Sequence, residues 1–289
     1  MNQTLRSTIQ LLRFHFSFFL MPVYFFALSQ LPEVDLGNSL LIFIVLHVLV
    51  YPSSNGYNSY MDRDTSPIGG LENPMQPTRQ LLYVTIIMDI LAIGLSFLIT
   101  PVFAAGIFLY IAASRAYSSR GVRLKKYPFA GYFTVIFFQG AVTFFLVYHG
   151  SNPGHSLHVP VVAMIAASLL IGGFYPLTQI YQHEADLADG VTTISYVLGY
   201  KGTFLFTGII YGMAFGMLAL QFYLNLEIME FFIIQACLLP VITYYFIWFY
   251  QVAKNKKAAN FKNTMRMNLL ASVCTNIGFI ILIILHSFE

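Results

Sequence analysis

Two stretches of this sequence carry oxygen-bearing side chains in the same order. YPSSNGYNSYMDRD begins at Tyr51 and YPLTQIYQHEADLAD begins at Tyr175. Each reads Tyr-Pro, then a hydroxyl residue, an amide, a tyrosine, a second amide and an aspartate. The offset is a constant 124 residues, so Pro52 pairs with Pro176, Tyr57 with Tyr181, Asn58 with Gln182 and Asp62 with Asp186. Within each copy the second amide and the aspartate are four apart, which on a helix puts them on one face, a turn apart. A further acid stands two residues away, Asp64 after Asp62 and Glu184 before Asp186. Residues two apart do not share a helical face, so one member of each pair must leave the helix or bend back. Glu72 and Asp189 add acid nearby. Carboxylates gathered at a membrane face repel one another and are costly to desolvate. A divalent cation resolves this, and carboxylate with amide oxygens suits Mg²⁺, which keeps waters and bridges to substrate phosphates. Two such clusters facing each other would hold a diphosphate.

Basic residues accompany them. RGVRLKKYP at 120–128 contributes Arg123, Lys125 and Lys126, and Arg79 lies downstream of the first cluster. Beside a metal they would neutralise a diphosphate and stabilise it as a leaving group; singly, each also fits ordinary anchoring at a membrane face. Tyr57, Tyr60, Tyr117 and Tyr181 fall near these groups. Aromatic faces stabilise a carbocation, and they serve equally as packing.

The elements that must position these residues follow from composition. Of 289 residues, 57% are hydrophobic and 9% charged, against roughly 25% charged in soluble domains. The chain is expected to be an all-α integral membrane protein, a single domain over 1–289 with its motifs in the loops 58–80 and 181–201. Nothing in it points to nucleic acid. A crossing needs about 20 apolar residues, and nine candidates occur: 11–30, 38–57, 81–99, 101–119, 128–149, 157–179, 202–223, 231–252 and 267–287. These runs are apolar all round, unlike the alternation of a membrane barrel. Arg6 and Arg13 precede an apolar run with no small-residue cleavage site after it, so that run reads as a retained first helix. With nine spans, all 15 Lys and Arg fall on one side. Lys and Arg concentrate in cytoplasmic loops, so the N-terminus and both motifs are expected to be cytoplasmic. Four spans separate the copies, giving two parallel four-helix units plus one. Pro52 and Pro176 should each bend a helix. Cys237 and Cys274, inside apolar runs, read as small buried hydrophobes. Among deeper polar residues, Asp89 is mid-span and needs either a direct role or an internal partner such as a histidine or tyrosine.

The motifs resemble those of the UbiA superfamily of intramembrane prenyltransferases. The family's first motif, N-D-x-x-D-x-x-x-D, is matched by NSYMDRDTS at Asn58 and Asp62, with Asp64 where many members have an acid. ENPMQPTR is similar to the continuation of that motif. In the second half Asp186, Gly190, Thr193 and VLG at 197–199 fall in register, and Glu184 matches an acid common there. Ser59, Ser66 and Gln182 stand where the family usually has aspartates. The resemblance implies a ring of helices around a central cavity. It also implies transfer of a prenyl group from an isoprenoid diphosphate to an aromatic or lipid acceptor in the membrane. Mg²⁺ would be held by Asn58, Asp62, Asp64, Gln182, Glu184 and Asp186, with Asp62 and Asp186 central to catalysis. Arg79, Arg123, Lys125 and Lys126 would bind the diphosphate, and Tyr57, Tyr117 and Tyr181 would face the cation. Another diphosphate-using transferase or a terpene cyclase would share the metal site. A transporter would instead spread polar residues through the membrane depth.

Overall fold

Asn2 starts the first helix by accepting the N–H of Thr4, opening α1 (Gln3–Leu12). The computed structural model describes residues 2–287, and these are helical with no extended sheet, the one β-bridge joining Ile68 to Leu71 in a loop. At Arg13 the backbone turns left-handed (φ 49°). A 3₁₀ stretch, Phe14–Leu20, then leads into α2 (Met21–Ser29), so the first crossing begins earlier than expected and is broken at Arg13. Asp35 caps α3 (Leu36–Phe43) by accepting the N–H of Asn38 at 2.9 Å. A π-helical stretch, Ile44–Val50, joins it to α4 (Tyr51–Asp62). Pro52 has no N–H to give to the ladder, and the chain accommodates this by widening the turn before it: Tyr51 N–H reaches back five residues to Leu46. Next come α5 (Arg79–Ser96) and α6 (Pro101–Ser118). A second π-helical stretch, Ile136–Val142, separates α7 (Pro128–Val135) from α8 (Thr143–Ser151).

In the second half α9 (Val161–Gln179) carries Pro176 within a continuous helix, and the break falls after it. Gln182 precedes a short α10 (His183–Ala188) without a side-chain cap. The next helix, α11 (Ile194–Leu224), is interrupted at Gly199 (φ 67°), which only glycine adopts without strain. The chain ends with α12 (Ile228–Lys254) and α13 (Phe261–His286). Among the described residues, eight crossings are long and apolar enough to span a membrane. The expected fourth span corresponds to α6, which is not among the eight and holds Arg115 in its last turn. It still runs from one end of the bundle to the other. Thr100 at its start meets His149 at 2.9 Å, and Ser118 at its end receives the amide of Asn58 at 3.1 Å.

The two ends are separately laced. At one end the N–H of Asp35 donates to Ser151 O (2.8 Å) and the Gln221 amide to Gln30 (3.1 Å). At the other, loops 63–78, 119–127 and 180–193 hold one another, as described below. The ring closes between first and last crossings, where Phe26 stacks on Phe279 at 4.6 Å and meets Phe144 edge-on at 5.1 Å. Small residues let other helices approach closely, as they must where lipid offers no hydrophobic drive. A Cβ on Gly140 would lie 2.4 Å from the Ser168 Cα.

Asp89 finds its partner in Arg115, not in a histidine or tyrosine. Arg115 Nε donates to Asp89 Oδ2 at 2.9 Å, Arg115 Nη2 to Ser53 Oγ at 2.7 Å, and Ser53 Oγ to Asp89 Oδ1 at 2.6 Å. The guanidinium also stacks on Tyr57 at 4.1 Å. This cluster binds α4 to α5 and α6 one turn before the first motif.

The packing and the ion pair each carry stability outcomes, read by thermal or denaturant unfolding in detergent. Gly140→Ala should destabilise by about 1–3 kcal/mol through overpacking. Gly216→Ala, whose new methyl meets nothing within 4 Å, should be neutral or slightly stabilising. Asp89→Asn should cost about 3 kcal/mol by leaving Arg115 unpaired, and the Asp89→Asn/Arg115→Met double variant should lose less than the two single losses added.

Candidate active site

The last turn of α4 carries the first cluster. Asn58 Nδ2 donates to Asp62 Oδ2 at 2.9 Å and to Ser118 Oγ at 3.1 Å, so the four-residue spacing does place amide and acid together. Arg63 closes the helix in the left-handed region (φ 56°). Asp64 thereby leaves the helix and turns back to the same space. The Asp62 side chain is 6% exposed and is contacted by Lys125 Nζ at Oδ2. Its Oδ1 is buried without a hydrogen-bond partner, with Arg123 Nη2 at 3.8 Å.

The second cluster is built differently. α9 stops before it, and Asp186 sits on α10, its N–H bonded to Gln182 O at 2.8 Å. The Gln182 side chain donates to Pro67 O at 3.2 Å and so ties the two clusters directly. His183, on the opposite side, meets Ser195 Oγ at 2.8 Å. Burial lowers its pKa to about 4, so it is neutral and anchors α10 to α11.

Asp62, Asp64 and Asp186 line one cavity of about 260 Å³, with Asn58, Gln182 and Lys125. The proximity appears in the acidities of Asp64 and Asp186. Asp186 is raised to about 7, chiefly by burial, with Lys125 opposing and the charges of Asp64, Asp62 and Asp189 adding to the rise. Asp64 is raised by burial and by Asp62, with Lys125 and Arg13 opposing. Lys125 is therefore the cation common to all three acids. Tyr117 and Tyr181 line the same cavity; Tyr117 is hydrogen-bonded to Tyr175 and Tyr181 packs on Phe261 at 5.4 Å.

Other expected residues lie elsewhere. Arg123 reaches toward Asp62, but its main bonds are to Asp189, through the carboxylate and the main-chain oxygen. Arg120 joins it there, donating to Asp189 at 2.9 Å and to Met61 O at 2.9 Å. These two arginines lock the loop after α6 over both motifs. Glu184, Lys126 and Arg79 are exposed and outside the cavity lining. Tyr57 is turned aside by Arg115, and Tyr60 packs against Arg63 at 5.9 Å. Arg13 is a site residue that spacing did not single out. It is buried, and its terminal nitrogens donate to Gly69 O and Asn55 O at 3.1 Å each. Its position after a polar first turn and before an aromatic run was the available signal.

The donor set fits a hard divalent cation. It offers three carboxylates and two amide oxygens around one space, and one buried carboxylate oxygen is unpartnered. Among the described residues no three acids or histidines are close enough to hold a metal by themselves. A metal would therefore share its coordination with water or substrate oxygens, as Mg²⁺ commonly does. The cavity's inner wall, Phe19, Ile171 and Phe174, also bounds a second, largely apolar chamber of about 240 Å³ between α2, α9, α11, α12 and α13.

Comparison with solved structures shows the same fold. A UbiA homologue from Archaeoglobus fulgidus, bound to dimethylallyl diphosphate (DMAPP) and Mg²⁺, is 19% identical with a TM-score of 0.69 over 96% of this chain and 99% of its own. The apo structure of a UbiA homologue from Aeropyrum pernix K1 is 18% identical with a TM-score of 0.68, over 92% and 97%. A structure described for digeranylgeranylglyceryl phosphate synthase is 18% identical with a TM-score of 0.63, over 98% of both chains. No curated protein matches by sequence. The family model of the UbiA prenyltransferase family matches residues 18–270, and on that match over most of its length the chain belongs to this family.

Proposed function

We propose that this chain transfers a prenyl group from an isoprenoid diphosphate to an acceptor within the membrane, with Mg²⁺ as cofactor. The observation that carries this reading is the convergence of Asp62, Asp64 and Asp186 on Lys125 at the polar end of a cavity whose far wall adjoins an apolar chamber. That is the polarity of the substrate itself, charged at one end and hydrocarbon along the rest. Homologues in this fold have been solved with DMAPP or geranyl diphosphate (GPP) and Mg²⁺.

Asp62, Asp64 and Asp186, with the amide oxygens of Asn58 and Gln182, would hold the metal, which when bound supplies positive charge to the diphosphate oxygens. Lys125 stands within reach of the same oxygens and stabilises the leaving group by its fixed charge. The allylic C1–O bond breaks and its electron pair leaves with the diphosphate. Tyr117 and Tyr181 border the positive carbon that results. The acceptor's nucleophilic atom bonds to that carbon, and the acceptor's proton passes to solvent. Arg120 and Arg123 keep the loop after α6 closed over the site by holding Asp189, which limits water as a competing nucleophile.

The geometry divides the expected residues. In an assay of Mg²⁺-dependent diphosphate release from labelled geranyl diphosphate, Asp62→Asn, Asp186→Asn and Lys125→Met should each lower turnover by about a hundredfold or more, on the scale of losing one charge-stabilising group. Glu184→Gln, Lys126→Met and Arg79→Met should stay within about threefold of wild type. Equal losses in both sets, with folding intact, would contradict the assignment.

A further inference from the structure

Five of the chain's 15 Lys and Arg stand apart from the site: Lys254, Lys256, Lys257, Lys262 and Arg266, at the junction of α12 and α13. All five are exposed. Residues 231–288 contain no Asp or Glu. Among the described residues none of the five is within ion-pair distance of an acid. The cations around the motifs differ, since Lys125 is held by Asp62, Arg120 and Arg123 by Asp189, and Arg115 by Asp89. Phe261, at the start of α13, packs edge-on to Tyr181 at 5.4 Å, so the junction lies at the motif end of the bundle.

The junction is held in shape. Asn255 Oδ1 accepts the N–H of Lys257 at 3.0 Å and opens the 3₁₀ turn Lys256–Ala258. Asn260 Nδ2 donates to Lys257 O at 2.8 Å, and Asn260 Oδ1 accepts the N–H of Asn263 at 3.0 Å, which starts α13. Trp248 Nε1 and Asn263 Nδ2 both donate to Ala258 O, at 2.8 and 2.9 Å. Like charges fixed side by side repel, and an anion among them relieves the repulsion. Because the turn is already ordered, little conformational freedom is lost when that anion binds.

Below the charges the same faces turn apolar. Lys254, Tyr250 and Phe246 follow at four-residue spacing on α12, all exposed, with Lys254 Nζ 4.4 Å from the Tyr250 ring centre. On α13 the exposed Lys262 and Arg266 give way to exposed Leu269. Cation, aromatic and hydrocarbon in that order match a phospholipid from head group through interface to chain. A soluble anion would need only the first layer.

We infer that the α12–α13 junction binds the head group of an anionic phospholipid, whose chains lie along Phe246 and Leu269. The inference is independent of the prenyl-transfer reading.

Trp248, the chain's one tryptophan, is fastened to this turn and so reports on it. The test places the full-length protein in phosphatidylcholine vesicles and replaces a fixed fraction of the lipid with a chain-brominated one, which quenches tryptophan at short range. Brominated phosphatidylglycerol should quench Trp248 with an apparent affinity about fivefold or more above that of brominated phosphatidylcholine, and NaCl should narrow the gap. The triple variant Lys256→Gln/Lys257→Gln/Lys262→Gln should bring the two lipids within about twofold, and Lys262→Gln alone should show part of that loss. Arg6→Gln/Lys126→Gln/Lys201→Gln removes the same charge from exposed positions elsewhere at this end and should keep the preference. Equal quenching by both lipids in wild type overturns the inference. Equal loss of preference in the two triple variants also overturns it, by reducing the effect to overall charge. Inorganic phosphate should narrow the gap no more than NaCl of the same ionic strength. Stronger displacement by phosphate would make this a soluble-anion site and overturn the lipid assignment.

Discussion

Carboxylates held together in a low-dielectric space are the constraint from which the rest of this molecule follows. Asp62 and Asp64 come from the end of α4 and Asp186 from α10; Asp62 raises the energy of Asp64, and both raise that of Asp186. Lys125 offsets that repulsion from a third segment, the loop after α6. Bringing three segments to one point requires firm anchorage of each. The Asp89–Arg115–Ser53 cluster fixes α4, the Gln182–Pro67 bond joins the two motif loops, and Asp189 with Arg120 and Arg123 fastens the overlying loop. The Asp89–Arg115–Ser53 cluster is largely buried, where a low dielectric strengthens such bonds, whereas Arg120 and Asp189 are partly exposed at the end of the bundle.

The repeat is a repeat of composition more than of local geometry. In the first copy Pro52, Asn55, Asn58 and Asp62 share one helix. In the second the helix stops at Gln179, and Asp186 is carried on a separate short helix. The extra acids fall accordingly. Asp64 follows a left-handed turn into the cavity, whereas Glu184 rides the first turn of α10 on its exposed side. One jaw presents two carboxylates and the other presents one.

Much of this was legible in the sequence, because hydropathy and the four-residue spacing are local signals. The Asn58–Asp62 pair, the cavity-facing Asp186 and the alternation of the two bundle ends all follow from them. What was hidden depends on packing between distant segments. Arg115 read as a loop-side cation until Asp89, on the neighbouring helix, gave it an internal partner. Arg123 read as a diphosphate ligand until Asp189 engaged it. Arg13 and Asn268 lie within runs whose periodicity cannot tell a cavity wall from a helix contact. The π-helical stretch before α4 was foreshadowed by Pro52, though as a bend and not as a widened turn.

The most direct test is an experimental structure of the protein with Mn²⁺ in place of Mg²⁺ and a non-hydrolysable geranyl thiodiphosphate, with the metal located by its anomalous signal. The account predicts metal bound by Asp62 and Asp186, diphosphate oxygens at Lys125, and the hydrocarbon chain running past Phe19 and Phe174. Metal and diphosphate found away from these carboxylates, or a chain lying outside the apolar chamber, would contradict it.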